Sequence, residues 1–319
     1  MTDITHRTVQ TNGIRMHIAE SGQGPLVLLC HGFPETWYSW RHQLPALAAA
    51  GYHAVAPDQR GYGQTDAPEA IDRYTSFHLV GDMVGLLDAL GETTAVIVGH
   101  DWGAIVAWQA TLLRPDRFRA VAALSVPFVP RGPLPPTQMF RMMAGDNFFY
   151  ILYFQEPGVA EAELDRDPRR ALRATLYTGS GDAPEGAGWR LALHKEAGFL
   201  DALMDPPALP SWLTEADVDA YAADFARSGF RGGINWYRNF DRNWELGAPW
   251  QGAQVTVPAL FVAGDRDLVI AMMGDAVQGM PQLVPGLTRS LLLPGCGHWT
   301  QQERPTEVNE ALLTFLHGL

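Results

Sequence analysis

Four short apolar runs constrain this chain most: Leu26-Val27-Leu28-Leu29-Cys30, His53-Ala54-Val55-Ala56, Ala95-Val96-Ile97-Val98 and Val121-Ala122-Ala123-Leu124. None shows polar alternation, which is how strands buried on both faces read. Helical stretches separate them, including Leu79 to Leu90 and Ala104 to Arg114, the latter closed by Pro115. Strand–helix alternation predicts a mostly parallel α/β sheet, flanked by helices and joined by right-handed crossovers.

The rhythm breaks at Val126. Five prolines fall between Pro127 and Pro136, and no strand-like run returns until Ala259-Leu260-Phe261-Val262-Ala263. The intervening stretch is aromatic-rich and helical in pattern, and Gly179 to Gly188 reads as a mobile loop. Ser290-Leu291-Leu292-Leu293 and a helix around Glu307 to Leu316 then resume the sheet pattern. The simplest division is an α/β core over 1–128 and 248–319, interrupted by a helical cap over 129–247.

Composition excludes several classes. A net charge of −12 without a basic run makes nucleic acid and anionic membrane poor partners. No apolar stretch reaches the ~18 residues of a spanning helix, and the first residues lack a signal-peptide core, so a cytoplasmic address is expected. Lys195 is the only lysine, which removes a Walker A loop. Cys30 and Cys296 form no CxxC, and the histidines show neither HxH nor HExxH spacing, so no metal or cofactor is expected. The oligomeric state stays open between monomer and homodimer.

The chemistry concentrates at strand ends. In Val98-Gly99-His100-Asp101-Trp102-Gly103-Ala104 a strand runs through Gly-x-Asp-x-Gly directly into a helix. This is the spacing of a nucleophile elbow with Asp in place of Ser. An N-capping Asp in an ordinary turn is the alternative. Gly264-Asp265-Arg266-Asp267 and Gly295-Cys296-Gly297-His298-Trp299 follow the last two strand runs. Asp101, Asp267 and His298 therefore all fall at C-terminal strand ends, where α/β sheets place their crevices, in the order nucleophile, acid, histidine. Asp265 is the alternative acid, and His31, His100 and Cys296 read as structural.

A carboxylate ionised at neutral pH attacks without a base. On an acyl group it would form an anhydride; on an alkyl carbon it forms an ester that water can hydrolyse. His298, oriented by Asp267, would activate that water. The backbone N–H groups of Phe33 and Trp102 would receive the oxyanion.

In His31-Gly32-Phe33-Pro34, Gly99-His100-Asp101-Trp102-Gly103, Asn235-Trp236-Tyr237-Arg238-Asn239 and Tyr153-Phe154-Gln155-Glu156-Pro157-Gly158 the chain resembles α/β-hydrolases of the soluble epoxide hydrolase type. The resemblance covers nearly the whole chain. It implies Asp101 as nucleophile, His298 as base, Asp267 as its orienting acid, and Tyr237 with a tyrosine at 150 or 153 as ring-opening acids. It aligns Tyr150 with the donor and Tyr153 with packing. The substrates implied are a small-molecule epoxide and water, giving a vicinal diol.

The first two motifs also occur in haloalkane and haloacetate dehalogenases, which share the Asp nucleophile; a non-catalytic binding scaffold is the third possibility. Phe33, where haloalkane dehalogenases carry Asn, and the tyrosines favour the epoxide. An alkoxide leaving group needs an O–H donor that stays protonated at pH 7. Tyr153, Phe154 and Trp299 are expected at the substrate pocket, with Trp189, Phe199, Met204 and Trp212 as further linings.

Overall fold

The computed structural model describes residues 3–184 and 193–319. Eight strands form one sheet: β1 Thr5–Thr11, β2 Ile14–Ser21, β3 Leu26–Cys30, β4 His53–Pro57, β5 Ala95–His100, β6 Phe118–Leu124, β7 Ala259–Gly264 and β8 Leu287–Leu293. Their order is β1-β2-β4-β3-β5-β6-β7-β8. From β4 to β8 every neighbouring pair is parallel, while β1, β2 and β4 pair antiparallel. Each of the six apolar runs of the sequence lies within one of β3 to β8. The N-terminal hairpin β1–β2 is an addition to that reading, turned by Asn12 and Gly13 with φ of 43° and 78°.

Alternate residues of a central strand bury into opposite layers. Ile97 packs with the helices Ser76–Leu90 and Trp102–Leu113, whereas Val96 and Val98 pack with Gln43–Ala49 and Pro305–His317. Fully burying one such side chain contributes about 1.5–3 kcal/mol. Burial on both sides is why these strands lack polar alternation.

The chain leaves the sheet after β6 and returns at β7. Among the described residues the interval holds helices and no strand, in keeping with the run of prolines that opens it. The two cap motifs meet there. Arg238, ending the helix Arg231–Arg238, donates to the carbonyls of Phe154 (2.9 Å) and Glu156 (3.0 Å) and pairs with Glu161. Gln155 returns a bond to the Tyr237 carbonyl at 3.1 Å. Gly232 and Gly233 allow this helix to sit on the core, because a Cβ at either would collide with Gly61 or with Tyr62 and Phe33. Trp236 adds an indole bond to the Arg60 carbonyl at 3.1 Å.

Candidate active site

Asp101 sits between β5 and the helix Trp102–Leu113 with φ 52° and ψ −118°, a backbone conformation that costs a non-glycine residue about 1–3 kcal/mol. The flanking glycines are required sterically. A Cβ at Gly99 would meet the Gly103 carbonyl, and one at Gly103 the Cys30 carbonyl. The turn lifts the Asp101 carboxylate above the sheet, where its side chain is 15% exposed.

Phe33 donates its backbone N–H to Asp101 Oδ1 at 2.9 Å. Trp102 is the first residue of its helix, so its N–H has no intrahelical acceptor. On the other side His298 Nε2 lies 3.5 Å from Asp101 Oδ2. His298 Nδ1 faces both carboxylate oxygens of Asp267, at 3.0 and 3.1 Å. Asp267 is itself fixed as the N-cap of the helix Leu268–Leu283, accepting from the Val269 N–H at 2.9 Å. Asp265 points elsewhere and accepts from the Gly295 N–H at 2.7 Å.

Burial alone would raise the Asp101 pKa, but the hydrogen bond and charge of His298, with His100 and the Phe33 N–H, hold it below the ordinary value. Burial likewise opposes protonation of His298, yet the charges of Asp267 and Asp101 push its pKa well above the usual imidazole range. Each of the two groups therefore favours the charged form of the other.

A cavity of about 1260 Å³ runs over Asp101 and His298, and Tyr150, Tyr237, Phe199 and Trp299 line it. Tyr237 is 4% exposed and lies edge-on to Trp102, ring centroids 5.0 Å apart. Tyr150 stands across from it, ring centroids 5.9 Å apart. Burial, with Asp101 nearby, raises both phenol pKa values, so both stay protonated. At the outer end Val129, Met139, Met143 and Met272 form an exposed apolar rim.

Two expected pocket residues lie outside this lining. Tyr153 turns away and donates to Glu163 at 2.9 Å, and Phe154 is fully buried behind Phe33 and Tyr237. Met204 and Trp212 are also absent from the lining; Trp212 donates to Ser180 Oγ at 2.9 Å. Trp189, and residues 185–188 of the glycine-rich segment, fall outside the described residues. Gly179 to Gly181 are not a free loop. They pack on the histidine turn, with the His298 N–H bonded to the Gly179 carbonyl at 2.7 Å.

Sequence reasoning missed the groups behind His298. Its carbonyl accepts from Ser125 Oγ at 2.9 Å and from His100 Nε2 at 2.7 Å. His100 Nδ1 in turn faces the buried Glu35 carboxylate at 2.7 Å. The position of His100 inside the elbow was the available signal; Ser125 and Glu35 carried none.

A family model described as the alpha/beta hydrolase fold matches residues 25–154. Epoxide hydrolase A of Mycobacterium tuberculosis is 52% identical, covering 99% of this chain and 98% of its own length. Epoxide hydrolase 3 of Siraitia grosvenorii is 48% identical, covering 99% of both chains. The crystal structure of epoxide hydrolase A from Mycobacterium thermoresistibile superposes with a TM-score of 0.95 at 54% identity, again over 99% of both. Together with an Asp–His–Asp site at the strand ends, identity sustained over essentially the full length means that this chain belongs to the epoxide hydrolase family of the α/β-hydrolase fold.

Proposed function

We propose that the chain converts epoxides to vicinal diols through an ester on Asp101, within a core of residues 1–128 and 248–319 under a cap of 129–247. The Asp101 carboxylate attacks an epoxide carbon and the C–O bond breaks. The departing oxygen takes a hydrogen bond, then a proton, from Tyr237 and Tyr150. General acid assistance of this kind typically contributes 10²–10⁴-fold.

Forming the ester neutralises Asp101, which removes one of the two charges holding the proton on His298. The imidazolium can then return a proton to the tyrosinate left by ring opening, and the neutral imidazole takes one from water, while Asp267 keeps it oriented. The resulting hydroxide attacks the ester carbonyl. The oxyanion is met by the N–H groups of Phe33 and Trp102, each such donor being worth about 3–4 kcal/mol. Collapse expels the diol oxygen, which takes the proton held on His298, and the acid left on Asp101 gives its proton to the imidazole, restoring the carboxylate and the imidazolium.

The observation that carries this reading is that a nucleophilic carboxylate, the imidazole and two protonated phenols line one cavity.

A single turnover of styrene oxide in oxygen-18 water tests it. The expected result is unlabelled diol in the first cycle and label in Asp101. Label entering the first-cycle diol directly would mean that water opens the ring itself.

A further inference from the structure

The turn that carries His298 is held by a carboxylate outside the triad. Glu303, at the end of the helix Thr300–Glu303, is 5% exposed. Its Oε2 accepts from the Gly297 N–H at 2.9 Å and its Oε1 from the Trp299 N–H at 3.0 Å, the residues on either side of His298. The same Oε2 accepts from the Gly181 N–H of the cap at 2.9 Å. Gly181 has no space for a Cβ against Gly295 and Gly297, and its carbonyl accepts from Arg266 at 2.9 Å. One buried carboxylate thus gathers three backbone donors, two bracketing the base and one from the segment that closes over it.

We propose that Glu303 is a positioning residue for ester hydrolysis, holding the backbone on both sides of His298 together with Gly181, so that the imidazole stays aimed at Asp101 while the cap segment is seated. This rests on His298 being the base. Alkylation would tolerate a loosened histidine turn, because Asp101 is held separately by its own elbow and by Phe33. Hydrolysis needs the imidazole and Asp101 in register, and a displacement of about 1 Å can cost 10²-fold.

Glu303→Gln keeps the shape but cannot keep the bonds. Whichever position its amide nitrogen takes, an N–H donor faces it: Trp299 on one side, or Gly297 and Gly181 on the other. The measurement is quenched-flow mixing with styrene oxide, followed by intact-protein mass, which reads ester formation and ester decay separately. E303Q is expected to form ester within twofold of the unsubstituted rate and to hydrolyse it at least tenfold more slowly, so that ester accumulates. Equal slowing of both steps, or decay within twofold of normal, would overturn the role. Should E303Q fail to fold, Glu303→Asp, whose shorter side chain withdraws the carboxylate, is read by the same split. Arg266→Met loosens Gly181 from the opposite side and is expected to slow decay severalfold; no change there would overturn the dependence on the cap. If His298→Gln fails to trap ester, the assignment of the base fails, whatever Glu303 does.

Discussion

Phe33 and Asp101 are joined by a hydrogen bond that distinguishes the two oxygens of the Asp101 carboxylate. The backbone N–H holds Oδ1 at 2.9 Å, while Oδ2 is the oxygen facing His298. In the proposed mechanism Oδ1 would become the ester carbonyl, already beside the Phe33 N–H, and Oδ2 would attack. Gly32 makes this possible, since a Cβ there would collide with the Asp101 side chain. Gly32→Ala is expected to lower kcat/KM for styrene oxide about 100-fold, with the far-UV circular dichroism unchanged. Activity near normal would show that the carboxylate has room to shift without penalty.

Removing either phenol hydroxyl tests ring opening. Tyr237→Phe and Tyr150→Phe are each expected to slow ester formation by about 10²-fold, with the double substitution slower than both. Single-turnover rates against substrate concentration separate this from binding. A loss confined to substrate affinity would make the tyrosines binding residues only.

His298→Gln should arrest the cycle after ester formation, visible as a protein mass increased by that of one substrate molecule. Asp101→Asn tests the electrostatic half of the same idea. Removing a neighbouring negative charge lowers an imidazole pKa, so the His298 titration followed by NMR should move downward from its raised resting position. An unchanged midpoint would mean that Asp267 alone sets it.

A stability prediction arises away from the site. Burial, with the Asp58 charge, raises the Asp224 pKa to about 6 despite its pairing with Arg227. An unfolded Asp titrates near 3.9, so the native state binds this proton more tightly. The stabilisation is complete below about pH 4 and is lost as pH rises through about 6. Asp224→Asn should therefore gain stability relative to the unsubstituted protein between those values, by on the order of 2 kcal/mol, and hold that advantage at higher pH. Urea unfolding at pH 4 and pH 8 measures it; an equal difference at both would contradict the raised pKa.

Much of this was legible because the signals were local. Gly99, Asp101 and Gly103 report one turn, and the apolar runs that precede Asp267 and His298 report the sheet edge on which both stand. What stayed hidden depends on contacts between distant segments. Nothing near Ser125 announces that it holds the histidine turn, and Glu303, though close to His298 in the chain, also reaches the distant Gly181 N–H. Tyr150 and Tyr153, three apart, seemed to share a helix face. The helix between them is a single turn, Tyr150–Tyr153, and its ends diverge to the cavity and to Glu163. The β1–β2 hairpin did have a signal, the Asn12-Gly13 pair that favours a tight two-residue turn.

That hairpin has a consequence for how the molecules behave toward one another. β2 occupies the outer side of β4, and β1 ends the sheet with a mostly exposed, polar strand carrying His6, Arg7 and Gln10. Without the first two strands, β4 would present a row of unpaired amides and carbonyls beside buried alanine and valine, a template for strand addition between copies. A chain shortened to begin after Ser21 should self-associate in light scattering even where each copy keeps Asp101 in place.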